Sequence, residues 1–306
     1  MNIRPLDLLD LPTLYRYRAD VLSLDTTRLL TRGNPLGAIG LMAYLNPERH
    51  LYSAVASSGG ITLLGGISQS NGDTFAKLLY LAPAGQLAHV ALPLLIEHLA
   101  LEAAEWGSFH ILAEVDEQSE AFPALRASGF SVYAWQRIWD LSGIANQAFS
   151  KVWRQASASD FVAVQALHHQ IVPPLLQPIE PVPRRANGWI CPEGGRCYVN
   201  VTSGVYGILL TPLIHPETLA VAEKVADLLS HLANRRNRPV YLCVRSYQAW
   251  LEPVLEDLGA TARPRQAVMV KHLARIIKDE QLARSAQPAT VLPASHVSQI
   301  ESHEQK

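Results

Sequence analysis

From Leu78 to Ala104 the chain reads as an apolar strand, a tight turn and an amphipathic helix. The turn, PAGQLAHVA, is where chemistry would sit. Backbone N–H groups at a helix start lack intrahelical partners and can hold a phosphate. Close approach of that backbone favours glycine, which has no Cβ in the way. Here Gln86, His89 and Ala91 stand at the meeting of turn and helix, with Leu87, Ala88 and Val90 between them. His89 brings an imidazole to the closest point. Protonated it would pair with a phosphate; neutral it would fill the space.

Other candidates read more simply. Cys191 and Cys197 flank PEGGR and look like the two ends of a hairpin turn, without the further ligands that a metal site needs. His168 and His169 sit late in a helix, and Arg235, Arg236 and Arg238 follow another, where positive groups suit the helix dipole. The apolar, proline-dense IVPPLLQPIEPVPRR reads as a rigid surface connection.

The elements that must position these residues occur twice. The 306 residues are 48% hydrophobic and 17% charged, enough to bury sizeable cores. A formal net charge of −1 argues against a general nucleic-acid binder. The longest apolar run, Leu87 to Ala103, is interrupted by His89, Pro93, Glu97, His98 and Glu102, so no membrane span is expected. Three cysteines are too few for a disulfide framework, and the cytoplasm is the expected location.

In the first half NIRPL is a strand, DLPTLYRYRADVL a helix, HLYSAVASSGG and ITLLGGISQS a hairpin, and FAKLLYLAP a strand. QLAHVALPLLIEHLALEAAEWG follows as a helix, FHILAEV as a buried strand, SEAFPALRASGF as a helix stopped by Gly129, and SVYAWQRIWDL as a closing strand. The second half repeats this order, from KVWRQA to RQAVMVKHL. Arg4 and Asp10 match Arg154 and Asp160, six apart each time, and Pro123, Leu125 and Gly129 match Pro253, Leu255 and Gly259. The predicted division is 1–146, 151–275 and a polar, flexible tail 276–306, with the junction near Asn146 to Lys151.

This order resembles the GCN5-related N-acetyltransferase (GNAT) family, twice over. AFPALRASGFSVYAWQRIWDL looks like the helix, Gly-Phe pair and last strands of such a domain, and LLYLAPAGQLAHVALPLLIEHL is similar to its cofactor segment. The resemblance implies an α/β fold: two tandem acyl-CoA N-acyltransferase-like domains, each a mixed, mostly antiparallel sheet with helices on its faces, packed on each other. It implies acetyl-CoA as co-substrate, with no metal. The pyrophosphate would lie on the turn and the pantetheine arm would enter a V between two strands beside Leu81 and Ala82. Gln86 and Ala91 fit the family pattern and His89 departs from it. In the second half the matching positions are His215, Thr218 and Ala220, with no glycine.

The family's usual acid, a Tyr four residues before the glycine of the Gly-Phe pair, is replaced by Leu125 and Leu255. Glu114, as a base facing either cleft or solvent, and Tyr80, as a proton donor or a packed core aromatic, remain as catalytic candidates. Two functions follow: transfer of an acetyl group to a small-molecule or protein amine, or an inactive relative acting as a binding or interaction module. A monomer is compatible with the tandem copy, and neither nucleic acid nor membrane is expected as a partner.

Overall fold

β1 (Asn2–Pro5) pairs antiparallel with β3 (Arg49–Ser58), and β3 turns through Gly59 and Gly60 into β4 (Ile61–Ser70). Both glycines have positive φ, 57° and 83°, which a side chain would strain. The computed structural model describes residues 2–37, 49–144, 152–183, 188–191, 196–232 and 238–273. The Asn146–Lys151 junction and the 276–306 tail lie outside these residues, as do Arg235, Arg236 and most of PEGGR.

β5 (Phe75–Ala82) lies against β4, and β6 (His110–Asp116) runs parallel to β5. α3 (Ala91–Glu105) connects them and buries Leu92, Leu95, Ile96 and Leu99 on the first core. Before it come α1 (Leu11–Tyr17) and α2 (Thr26–Arg32); after it comes α4 (Ala121–Ala127), stopped by Gly129 at φ 87°. β7 (Ser131–Asp140) ends the half.

The second half runs β8 (Arg154–Gln155), α5 (Phe161–Ile171), β9 (Gly188–Cys191), β10 (Cys197–Ser203), β11 (Ile208–Ile214), α6 (Val221–His231), β12 (Val240–Arg245), α7 (Leu251–Asp257) and β13 (Thr261–His272). β11 and β12 are again parallel, and all other strand pairs among the described residues are antiparallel. Cys191 and Cys197 pair directly across β9 and β10, as ends of a hairpin.

The closing strands are exchanged. β13, the last strand of the second half, pairs with β6 of the first, and β7 pairs with β12 of the second. β7 and β13 pair with each other, so one sheet runs β1-β3-β4-β5-β6-β13-β7-β12-β11-β10-β9-β8. A third core draws on both halves, with Phe75, Leu112 and Val268 against Leu167, Tyr198 and Leu213.

Three local expectations are corrected. The helix beginning at Asp10 stops at Tyr17, and Leu22–Ser23 forms β2 on the free edge of β5. Burial of Leu24 in the first core outweighs the helical preference of the segment. QLAHV is not the first turn of α3: Ala84–Gln86 is a 3-10 turn and His89 N–H bonds back to Gln86 O, so the α-helix starts at Ala91. The proline-dense connection is not a surface strap, because Val172, Leu176 and Ile179 are buried in the shared core.

Candidate functional site

β5 and β6 pair only at Phe75–His110, Ala76–Ile111 and Lys77–Leu112, and then diverge. The resulting V opens beside Leu81 and Ala82, toward the PAGQLAHVA turn. It is filled by the chain itself. Leu22 and Ser23 pair with Leu81 and Tyr80, Leu24 N–H donates to Leu79 O at 2.9 Å, and Leu24 O accepts Glu114 N–H at 2.8 Å. Leu24 therefore bridges the two strands as a further strand residue would. Its side chain is buried in one core with Leu81, Leu87 and Ala91.

At the turn, His89 Nδ1 accepts the N–H of Ala91 at 3.1 Å, and Leu92 N–H bonds to His89 O at 3.0 Å. These are donors that an anion at this helix start would need. Gln86, Ala88 and Val90 are exposed, whereas Leu87 and Ala91 are core residues.

The second V opens past Leu210 and Leu242. It is closed by one side chain. Gln248, 1% exposed, donates from Nε2 to Pro212 O at 2.8 Å and accepts Ile214 N–H at 3.0 Å. The amide thus satisfies the β11 edge as a neighbouring strand would. At its turn Lys224 Nζ donates to Leu219 O, 2.8 Å away.

The two catalytic candidates are not brought together. Tyr80 is buried beside Leu14, Leu64 and Leu79, and its hydroxyl donates to Ser53 Oγ at 2.8 Å. Glu114 turns inward, its side chain 12% exposed. Its Oε2 accepts the Thr26 N–H that opens α2, at 2.9 Å, and its Oε1 lies 3.7 Å from Arg245 of the other half. Leu125 and Leu255, where the resemblance would put a Tyr, are each buried in an apolar core.

No protein-family model matches the sequence, and no curated protein does either. Solved structures match by shape. A tandem GNAT protein from the clavulanic acid biosynthesis pathway superposes with a TM-score of 0.53 at 16% identity, over 89% of this chain and 98% of the other. A GCN5-related N-acetyltransferase from Sphaerobacter thermophilus gives 0.55 at 11% identity, over 89% and 95%. The fold is that of a tandem GNAT protein.

Within that fold, acetyl-CoA does not fit either V as this chain fills them. The backbone edge that a pantetheine arm would pair with carries Leu22–Leu24 in the first half and the Gln248 amide in the second. Gln86 alone of the predicted turn residues offers an exposed polar side chain, and His89 is half-buried.

The residues missed by sequence reasoning are Leu22–Leu24 and Gln248. β2 is two residues long, too short for a periodicity. Asp25 did carry a signal: an Asp followed three residues later by the N–H it caps, Arg28 at 3.2 Å, which marks the start of α2.

Proposed function

We propose that this GNAT-fold chain is a binding protein that does not turn over acetyl-CoA. The observation that carries this reading is Leu24, hydrogen-bonded to both arms of the V at 2.9 and 2.8 Å. An incoming pantetheine would have to break these bonds and expel a buried leucine side chain, with about 1.5–3 kcal/mol of burial lost for that side chain alone. The Gln248 closure of the second V and the two buried leucines at the Tyr positions support the same reading. Acetyl transfer to an amine is the reading that the fold alone would favour, and it needs an open V.

Thermal unfolding with and without millimolar acetyl-CoA tests the proposal. A ligand at a hundred times its dissociation constant adds about 2.7 kcal/mol, which moves Tm by several degrees. No shift is expected. A clear shift would mean that Leu22–Leu24 yields to cofactor, and would return the chain to the acetyltransferase reading.

A further inference from the structure

A cavity of about 280 Å3 lies between the halves, walled by β5 and β6 of the first, by β10 and β11 of the second, and by the segment around Glu180. We propose that it binds a small uncharged molecule whose polar edge both donates and accepts hydrogen bonds, carried on a flat apolar body. The inference gives the binding function proposed above its ligand class, and rests on that reading for the absence of acetyl transfer.

The charged groups at the cavity answer one another. Lys77 Nζ lies 3.5 Å from Asp25, and Arg28 acts on the same carboxylate. Burial works against an ionised Asp25, but Lys77 and Arg28 outweigh it and hold the carboxyl below its usual range. Asp25 first, then Glu114, holds Lys77 above the usual lysine range. Arg245 is shared, with Nε 2.9 Å from Glu180 and Nη2 3.7 Å from Glu114. Glu180 also accepts the Tyr247 hydroxyl at 2.5 Å, and Glu114 the Thr26 N–H at 2.9 Å. Asp25, Glu114 and Glu180 are thus balanced by Lys77, Arg28 and Arg245. An ion entering here would give up its hydration and find no spare counter-charge.

Uncharged groups are what the cavity leaves over. Asn200 and Thr211 stand opposite each other on β10 and β11, and both line it. Among the described residues neither side chain has a hydrogen-bond partner. Tyr198, two residues from Asn200 and so on the same face of β10, is fully buried with its hydroxyl unbonded. His168, 4% exposed, places Nε2 2.7 Å from Glu180 O. A carbonyl only accepts, so Nε2 carries the proton. Burial holds the ring below the usual imidazole range, in spite of that carbonyl, and the ring is neutral. Nδ1 is then a lone pair, and it has no hydrogen-bond partner.

The wall therefore offers one amide, two hydroxyls and one ring lone pair. A ligand edge that only accepts leaves His168 unmet, and one that only donates leaves the N–H groups of Asn200 unmet. A carboxamide does both and carries no charge. Phe75, Leu112, Tyr247 and Val268 supply aromatic and apolar surface for a flat body beside that edge.

Calorimetric titration of the full chain near neutral pH, with benzamide, benzoate, benzamidinium and acetophenone as probes, decides the matter. The four have nearly the same shape and differ in charge or in the N–H donor. Benzamide is expected to bind one per chain, and each of the other three at least about tenfold more weakly. Equal or tighter binding of either ion or of acetophenone, or no benzamide binding at millimolar concentration, would overturn the proposal. Asn200→Leu and Tyr198→Phe remove groups that have no partner in the chain, so the fold is retained. Each is expected to weaken benzamide by about tenfold, and unchanged affinity in both would overturn the site. Thermal unfolding with acetyl-CoA keeps the two proposals apart. A shift alongside benzamide binding would overturn the function proposed above and leave the site standing, whereas failure of benzamide with no acetyl-CoA shift would overturn the site alone.

Discussion

His89 Nδ1 accepts the backbone N–H of Ala91, two residues ahead, at 3.1 Å. In the second half His215 Nδ1 does the same for Glu217 N–H at 3.3 Å. At both turns a side chain of the chain itself holds a donor at the start of the helix-bearing segment.

His89→Gly removes that acceptor and the Cβ together. It restores the smallest residue to the turn but leaves Leu22–Leu24 in place. The expected outcome is a protein whose Tm is still unmoved by millimolar acetyl-CoA. A shift of several degrees in the variant alone would mean that the imidazole, and not the Leu24 bridge, is what keeps cofactor out.

Gln248→Ala strips both hydrogen bonds from the β11 edge and leaves two backbone groups, on Pro212 and Ile214, buried without partners. Each such group costs about 1–3 kcal/mol. Chemical denaturation should show a loss of about 2–6 kcal/mol. A loss below about 1 kcal/mol would indicate that water or a repositioned chain replaces the amide.

Asp160 receives two hydrogen bonds from Arg154, at 2.7 and 2.5 Å, and a third from Ser157 N–H at 2.8 Å. Arg154 first, then Ser157, holds its carboxyl well below the usual carboxylate range. Arg4 does the same for Asp10, bonded at 2.7 and 2.6 Å. A lowered folded-state pKa gives stability that is full above the unfolded value, about 4, and fades as pH falls through the folded one. Asp160→Asn should therefore lower Tm at neutral pH, with the gap to the wild type closing as the pH falls well below 4. A gap of constant size across that range would assign the effect to shape and not to charge.

All three cysteines are buried thiols outside any disulfide. Burial pushes the Cys243 thiol up to about 12, and Cys197 higher still. Thiolate is the reactive form. Titration with a thiol reagent at mildly alkaline pH should find no fast-reacting cysteine in the native protein and three after unfolding. A fast native thiol would reveal an opening of the second half not seen in its packing.

The parts of the fold legible in the sequence were those with local causes. Gly59-Gly60 between alternating runs gave the hairpin, Gly129 and Gly259 gave the helix stops, and the recurrence of Arg154 and Asp160 after Arg4 and Asp10 marked the repeat. The rest depended on distant partners. SVYAWQRIWDL and RQAVMVKHL have the same pattern whichever sheet they join, so their exchange left no mark on composition. Nothing near Gln248 tells that its amide will meet Pro212 and Ile214, 36 and 34 residues away. Glu114 was foreseen as inward or outward with equal weight. Its inward turn follows from Arg245, contributed by the other half.

The traded strands β7 and β13 make the duplication irreversible. A chain cut at the junction would leave β6 and β12 each with a bare edge, the kind of surface that recruits other chains. Each half carries the other's hem. A truncation that spares every residue of one copy would therefore still strip it of a strand partner.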